Sequence, residues 1–118
     1  MINKSLLSGT TAMLILKLLS KEDMYGYEMI DTLRQMSNNV FELKAGTLYP
    51  LLRSLEQDGA VESYSKDIGK KTRNYYHLTE YGKKLLQEKE SEWKLYSSSV
   101  LSLLESVLLG GDPDEQRV

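Results

Sequence analysis

Hydrophobic residues recur at three- and four-residue spacing in three successive segments, and this spacing predicts helices over residues 5–20, 25–37 and 45–58. The first segment is apolar over so wide a surface that it must be covered on more than one side. The third has a stripe predicted to be buried, formed by Leu48, Leu51, Leu52 and Leu55. Its opposite side then carries Thr47, Tyr49, Pro50, Arg53 and Ser54.

Two residues bear on where the second and third helices begin. Asp23 follows the end of the first pattern and is of a type that caps helices, so it is a candidate cap for the second helix. Pro50 would cost roughly 3 kcal/mol in a helix interior. Either the third helix begins at about Thr47, or it begins near Ala45 and is bent. Gly59 is a natural stop at its end.

Two short segments, residues 60–65 and 72–78, have the composition of strands, and the connector 66–71 contains Gly69, so we predict a hairpin. Alternation in the second strand places Thr72, Asn74, Tyr76 and Leu78 on one face. The other face carries Arg73, Tyr75 and His77. We expect Tyr76 and Leu78 in the core, and His77 on the surface without a special role.

The last pattern predicts one long helix, with Thr79 as its N-cap and an end near Leu109, before Gly110 and Gly111. Its apolar residues follow heptad spacing, interrupted at Lys89, through Leu86, Trp93, Tyr96, Val100, Leu103 and Val107. A helix of this length extends beyond a domain built from the preceding residues. A second copy of the chain is the simplest partner for the seam, so we predict a homodimer with these six residues at its interface.

The order of these elements is typical of a winged helix-turn-helix, so the predicted fold is mainly α with a small β-hairpin and a long C-terminal dimerisation helix. We assign residues 1–78 to a DNA-binding domain, 79–110 to the C-terminal dimerisation helix and 111–118 to a flexible tail. In this fold the third helix enters the major groove, and the hairpin, or wing, lies along the DNA backbone.

Composition argues against catalysis and against membrane insertion. The 118-residue chain has no cysteine and a single histidine, which leaves no basis for a thiolate metal site or a Ser-His triad. Glu90 and Glu92 are two positions apart on a helix and point away from each other. The longest apolar run, Ala12–Leu16, is too short to span a bilayer, and no signal peptide is recognisable. We expect a cytoplasmic non-enzyme with no metal or cofactor.

The charge is unevenly distributed. The formal net charge is −2, but residues 44–84 carry eight Lys or Arg and five Asp or Glu, whereas residues 85–118 carry three and seven. A local basic face can bind phosphate even when the whole chain is acidic, although the same counts also fit scattered surface charge.

The residues expected to contact DNA fall on two elements. On the third helix, Thr47, Tyr49 and Arg53 supply hydroxyls and a guanidinium for base edges and phosphates. In the wing, phosphate contacts are expected from Lys66, Lys70, Lys71 and Arg73. The alternatives are a bent helix start with Tyr49 packed in the core, and a solvated basic loop.

Four blocks of sequence resemble the PadR family of bacterial transcriptional regulators. They are YGYEM at 25–29, GTLYP at 46–50, LEQDG at 55–59 and YYHLTEYG at 75–82. The similarity covers roughly residues 8–96, and the single C-terminal helix is similar to the short subfamily. One departure is Lys44, where many members have a serine before the third helix; it adds a cation beside the DNA.

The resemblance implies a homodimer, in most members a repressor, whose C-terminal helix packs against the partner. Many members respond to small, often aromatic or cationic, compounds. A tryptophan on the C-terminal helix can line a ligand cavity at the dimer interface, and Trp93 falls at that place. The expected neighbours in such a cavity are Leu14, Tyr96 and Ser97. Packing of the dimer alone would also place Trp93 at the interface.

Three hypotheses of function follow. The first is a ligand-responsive, sequence-specific repressor that binds a double-stranded DNA operator as a homodimer. The second is a winged-helix module that binds protein instead of DNA, which the acidic overall charge would suit. The third is a small-molecule binding protein that uses only a cavity in the dimer.

Overall fold

The structure is a computed structural model, and it describes residues 10–108. The elements are α1 (Thr11–Lys21), β1 (Met24–Tyr25), α2 (Gly26–Met36), α3 (Ala45–Gln57), β2 (Val61–Ile68), β3 (Lys71–Leu78) and α4 (Glu80–Leu108). The predicted order of three helices, a hairpin and a long helix is confirmed. The proposed start of the first helix at residue 5, the glycines at 110 and 111 and the tail 111–118 lie outside the described residues.

The sheet has one strand more than the sequence predicts. β3 is its central strand, and it pairs antiparallel with β2 on one side and with the two-residue β1 on the other. The β2–β3 ladder runs from Val61 opposite Leu78 to Ile68 opposite Lys71, so both strands extend further than predicted. The two-residue turn between them contains Gly69, whose φ of 62° favours glycine.

One hydrophobic core joins α1, α2, α3, the base of the wing and the first two turns of α4. Its largest fully buried side chains are Ile15, Leu16, Met29, Leu48, Leu52 and Val61. Leu78 is buried as predicted, and Tyr76 is partly buried against the core. Leu86 was predicted to lie at the dimer interface, and the structure corrects this prediction. The residue is only 5% exposed and packs in the core of its own chain. The first compact unit ends at Leu86, and the second, which begins at Gln87, contains the rest of α4.

The structure shows where the second and third predicted helices begin. α2 is preceded by Tyr25, whose backbone N–H donates to Glu28 Oε1 at 3.2 Å. The prediction that Asp23 caps α2 is therefore wrong; its carboxylate instead accepts a hydrogen bond from the Tyr64 hydroxyl. α3 begins at Ala45 with Lys44 as N-cap, so the earlier start is correct and Pro50 lies inside the helix.

The end of α3 has the hydrogen bonds of a Schellman motif. Gly59 has a φ of 80° and donates to the carbonyl of Glu56 at 3.0 Å. Ala60 donates to the carbonyl of Leu55 at 2.9 Å, which directs the chain into β2. The stop predicted at Gly59 is confirmed.

Thr79 joins this helix end to the start of α4. Its hydroxyl donates to the carbonyl of Gly59 at 2.6 Å and accepts from the N–H of Gly82 at 3.0 Å, so it is the N-cap predicted from the sequence. Gly82 packs on the carbonyl of Ala60 with no room for a Cβ. The first turn of α4 is therefore fixed to the end of α3. None of the helices within residues 10–108 combines the length and hydrophobicity that a bilayer span requires.

Candidate nucleic-acid interface

The outward face of α3 carries the three residues predicted for DNA contact. Thr47, Tyr49 and Arg53 are all exposed. The helix is held from beneath by Leu48, Leu52 and Leu55, which are at most 4% exposed. Burial of these leucines fixes the rotation of α3, and the helical period then directs the polar residues outward.

Tyr49 is not packed in the core, so the alternative that placed it there is wrong. It is 38% exposed, so it is neither a core residue nor fully free. Its ring lies against the backbone of Gly26, where an added Cβ would be 2.7 Å from Tyr49 Cζ. Burial raises the pKa of Tyr76 on β3, with smaller contributions from Glu56 and Tyr49, while Arg53 opposes them.

The cations of the wing occupy the turn and the strand positions next to it. Lys66, Lys70 and Lys71 are exposed, and Arg73 is half-buried. Asp67, the one carboxylate at this end of the hairpin, accepts a hydrogen bond from Thr72 Oγ1 at 2.7 Å. Lys44, the N-cap of α3, is also exposed.

The face of the sheet that points away from Leu78 carries a row of three tyrosines, one from each strand. In the register, Tyr75 is opposite both Tyr25 and Tyr64. Its ring makes an edge contact with Tyr25, with centroids 5.5 Å apart, and stacks on Tyr64 at 5.7 Å. We call these three residues the tyrosine row. Tyr75 is only 9% exposed because its neighbours cover it, although the sequence placed it on the face away from the core.

Two wing cations lie over this row. Arg73 Cζ is 4.5 Å from the centroid of the Tyr25 ring, and Lys66 Nζ is 5.2 Å from that of Tyr75. Both distances are in the range of a cation–π contact. Burial raises the pKa of Tyr75, the nearby Glu28 adds to the rise, and Arg73 opposes it.

Asp23 binds two residues of the wing at the other end of the row. Its Oδ2 accepts from the Tyr64 hydroxyl at 2.7 Å, and its Oδ1 lies 2.9 Å from His77 Nδ1. Burial acts to raise the pKa of Asp23, but the hydrogen bonds from Tyr64 and His77 and the charges of His77 and Lys66 outweigh it and lower that pKa. The hydrogen bond to Asp23 raises the pKa of Tyr64 to about 12.

Sequence reasoning missed this network. His77 is on the surface as expected, but its ring contacts Asp23, a partner that the sequence did not indicate. Alternation had already placed Arg73, Tyr75 and His77 on one face. The third strand could not be predicted, because β1 has only two residues, too few for a periodic pattern. It nevertheless brings Tyr25, and with it the adjacent Asp23, to this face.

The described part of the second unit is the remainder of α4, and its large apolar side chains between residues 93 and 107 are exposed. They are Trp93, Leu95, Tyr96, Val100, Leu101, Leu103, Leu104 and Val107. Trp93 and Tyr96 lie one turn apart with ring centroids at 6.1 Å, and Ser97 on the next position is half-buried. Leu14, the remaining residue predicted for a ligand cavity, is in the first unit, partly buried against the core.

Comparison with known proteins identifies the family. The model of the transcriptional regulator PadR-like family matches residues 15–88, from α1 into α4. A protein of Lysinibacillus sphaericus is 36% identical over 96 residues, which are 79% of this chain and 86% of that one. The transcriptional regulator YqjI of Escherichia coli is 25% identical over 92% of this chain, which spans only 51% of YqjI.

Solved structures agree with this match. A PadR family transcriptional regulator from Eggerthella lenta superposes with a TM-score of 0.77 at 37% identity, covering 86% of this chain and 88% of that one. A transcriptional regulator from Clostridium thermocellum gives a TM-score of 0.79 at 31% identity over 84% and 97% of the two chains. With three helices, a wing and a long C-terminal helix in the same order, this chain belongs to the PadR family of transcriptional regulators.

Proposed function

We propose that the protein is a sequence-specific DNA-binding repressor that acts as a homodimer, responds to a small effector and has no catalytic activity. One observation supports the DNA-binding part above all others. The buried leucines of α3 direct Thr47, Tyr49 and Arg53 outward. Hydroxyls and a guanidinium on the second helix of a helix-turn-helix are the groups that contact base edges and phosphates in the major groove.

The wing adds contacts that carry affinity more than specificity. Its cations would neutralise phosphates along the backbone, with a further contact from the N-cap of α3: Lys66, Lys70, Lys71, Arg73 and Lys44. Each such contact releases counterions, so binding should weaken steeply as salt is added. The excess of three positive charges over residues 44–84 supports this role in a chain whose net charge is −2.

The test is fluorescence anisotropy with a labelled duplex from upstream of the protein's own gene, across a salt series and against excess unrelated DNA. The variant Arg53→Ala with Lys70→Ala should abolish specific binding. Arg34→Ala is the control, because Arg34 is an exposed cation paired with Asp31 on α2 and belongs neither to α3 nor to the wing. Equal binding by all three proteins would refute the assigned DNA surface.

The homodimer is supported by the apolar face of α4 beyond Leu86. Successive residues of a helix are turned by about 100°, so one face lies within about 80° of Trp93. This face carries Tyr96, Val100, Leu101, Leu103, Leu104 and Val107. It is wider than the seam of a two-stranded coiled coil, which suits contact with more than one partner helix. Leu103 and Val107 are 61% and 57% exposed within this face, and a contiguous exposed apolar patch marks an interaction surface.

Sedimentation equilibrium tests the dimer. The wild type should have twice the 13.5 kDa mass of the chain, and Leu103→Glu should shift it towards the monomer because a charge would be buried at the interface. Leu95→Glu is the matched control, since Leu95 is 71% exposed and lies about 160° from Trp93, outside the apolar face. A dimer unaffected by Leu103→Glu would show that another surface joins the subunits.

The effector role is supported by the pair of Trp93 and Tyr96. Their rings lie one turn apart on an exposed apolar face, and aromatic surfaces of this kind bind aromatic or cationic compounds. An effector that binds the DNA-incompetent arrangement more tightly would release the operator, by no more than that difference in affinity. Ser97, the position after Tyr96, is a further residue proposed to line its site.

Trp93 is the single tryptophan, so its fluorescence reports binding directly. Aromatic and cationic compounds would be titrated against Trp93 emission and against the DNA complex in parallel. Quenching with release of DNA supports the effector-responsive repressor. Quenching without any change in DNA affinity would favour a small-molecule binding protein, and absence of salt-dependent DNA binding would favour a protein-interaction module.

A further inference from the structure

We propose that Tyr25 is a positioning residue for DNA binding, which holds the Arg73 guanidinium of the wing in place for a backbone phosphate through a cation–π contact. The inference rests on the proposed DNA-binding function and goes beyond it, because Tyr25 lies outside α3 and the hairpin. The observation is the 4.5 Å distance from Arg73 Cζ to the centroid of the Tyr25 ring.

The two cation–π contacts offset a repulsion between two cations of the wing. Lys66 and Arg73 are directly opposite each other in the ladder, and like charges at such positions destabilise a strand pair. Each cation contacts a different ring, Lys66 that of Tyr75 and Arg73 that of Tyr25. The tyrosine row thereby compensates for the repulsion between two cations that the register places on one face.

The contact leaves Arg73 able to bind. A cation–π contact uses the positive charge of the guanidinium and consumes none of its five N–H donors. The donors stay available for the two oxygens of a phosphate, which the planar fork of arginine matches. A guanidinium already held over a ring also loses less freedom when the phosphate binds.

Tyr25 connects two parts of the predicted DNA-binding surface. It is the N-cap of α2, the first helix of the helix-turn-helix, and its ring reaches the wing through β1. The contact therefore links the position of a wing cation to the helix-turn-helix. The carboxylates near this face are Glu28, which binds the backbone of Tyr25, Asp23, which binds Tyr64, and Glu62, which lies opposite His77 in the ladder.

The experiment is a double-mutant cycle of Tyr25→Leu and Arg73→Ala, read by anisotropy with the duplex from upstream of the protein's own gene over a salt series. Tyr25→Leu should weaken binding about fivefold, the cost of ordering one arginine side chain, with an unchanged salt slope. Arg73→Ala should reduce the slope by about 0.9, one phosphate contact. In the Arg73→Ala background, Tyr25→Leu should have no further effect.

Two controls separate positioning from a merely structural role. Tyr25→Phe keeps the ring and should restore wild-type affinity. In NMR spectra of the DNA-free protein, the Arg73 Hδ protons should be shifted upfield by the ring in the wild type and in Tyr25→Phe, and not in Tyr25→Leu.

Three outcomes would each overturn the inference while leaving the proposed function intact. They are additive effects of the two substitutions, a DNA affinity that Tyr25→Leu leaves unchanged, and a salt slope that Tyr25→Leu reduces by the equivalent of several phosphate contacts. Failure of the wild type to bind DNA in a salt-dependent manner would overturn both.

Discussion

Tyr49 packs on Gly26 with no space between them for a side chain, since a Cβ on Gly26 would collide with the Tyr49 hydroxyl and lie 2.7 Å from Cζ. The contact joins the start of α2 to the exposed face of α3, and so it sets the position of a ring proposed to contact DNA. Glycine at 26 and tyrosine at 49 belong to two of the sequence blocks that define the family resemblance. The contact between them gives a physical reason for a glycine at 26 and a tyrosine at 49.

Gly26→Ala should displace the Tyr49 ring and destabilise the protein by about 1 kcal/mol, the low end of the cost of overpacking, because the clashing atoms are the end of a side chain that can turn away. DNA affinity should fall as well, because the ring leaves its place on α3. Urea unfolding measures the first effect and anisotropy the second. Gly46→Ala is the matched control: it also lies at a helix start, nothing is within 4 Å of its added Cβ, and alanine there should stabilise α3 by about 0.5–1 kcal/mol. Equal stability of the two variants would contradict the packing described.

Thr79→Val should lower the free energy of unfolding by about 2 kcal/mol. The change keeps the shape of the side chain but removes the hydroxyl that caps α4 at Gly82 and bonds the carbonyl of Gly59. Thr79→Ser retains both hydrogen bonds and should stay within about 0.5 kcal/mol of the wild type. Thermal or urea unfolding of the three proteins gives the comparison. If valine and serine behave alike, the hydroxyl does not contribute to the junction of α3 and α4.

How much of the fold the sequence predicts depends on how far apart along the chain the interacting residues lie. The leucines of α3 and the hairpin were predictable because their spacing is local. The contacts of Asp23 with Tyr64 and His77 join residues 41 and 54 positions apart, and no local period reports them.

Heptad spacing has a related limit, because it identifies an apolar helix face without naming what covers the face. Leu86 shares the spacing of Trp93 and Val100, yet it packs in the core of its own chain, whereas Trp93 and Val100 are exposed. The exposed face of α3 was predictable, because the spacing of the leucines within its 13 residues indicates which side of the helix is buried and which is exposed.

The pKa of Tyr64 should be about 12 in the folded protein, because its hydroxyl donates to the Asp23 carboxylate and ionisation would place two negative charges together. A raised pKa means that this hydrogen bond contributes its full stability below pH 10 and loses it as the pH rises towards 12. NMR titration of the tyrosine Cζ resonances measures the value, with Tyr64→Phe to assign the signal. In Asp23→Ala the Tyr64 pKa should fall towards 10.0. Titration of Tyr64 near pH 10 in the wild type would refute the hydrogen bond.

Asp23 should make stability depend on pH at the acidic end. Its pKa is lowered below 3.8 in the folded protein, so its contribution is complete above that value and is lost as the pH falls through the folded pKa. Asp23→Asn should therefore be less stable than the wild type at pH 6, and the difference should shrink at pH 3 and below. Urea midpoints of both proteins across this range give the test. Glu42→Gln removes an exposed carboxylate outside the network and should leave the acid dependence of the wild type unchanged. A difference between Asp23→Asn and the wild type that stays constant from pH 6 to pH 2 would show that the charge of Asp23 does not stabilise the wing.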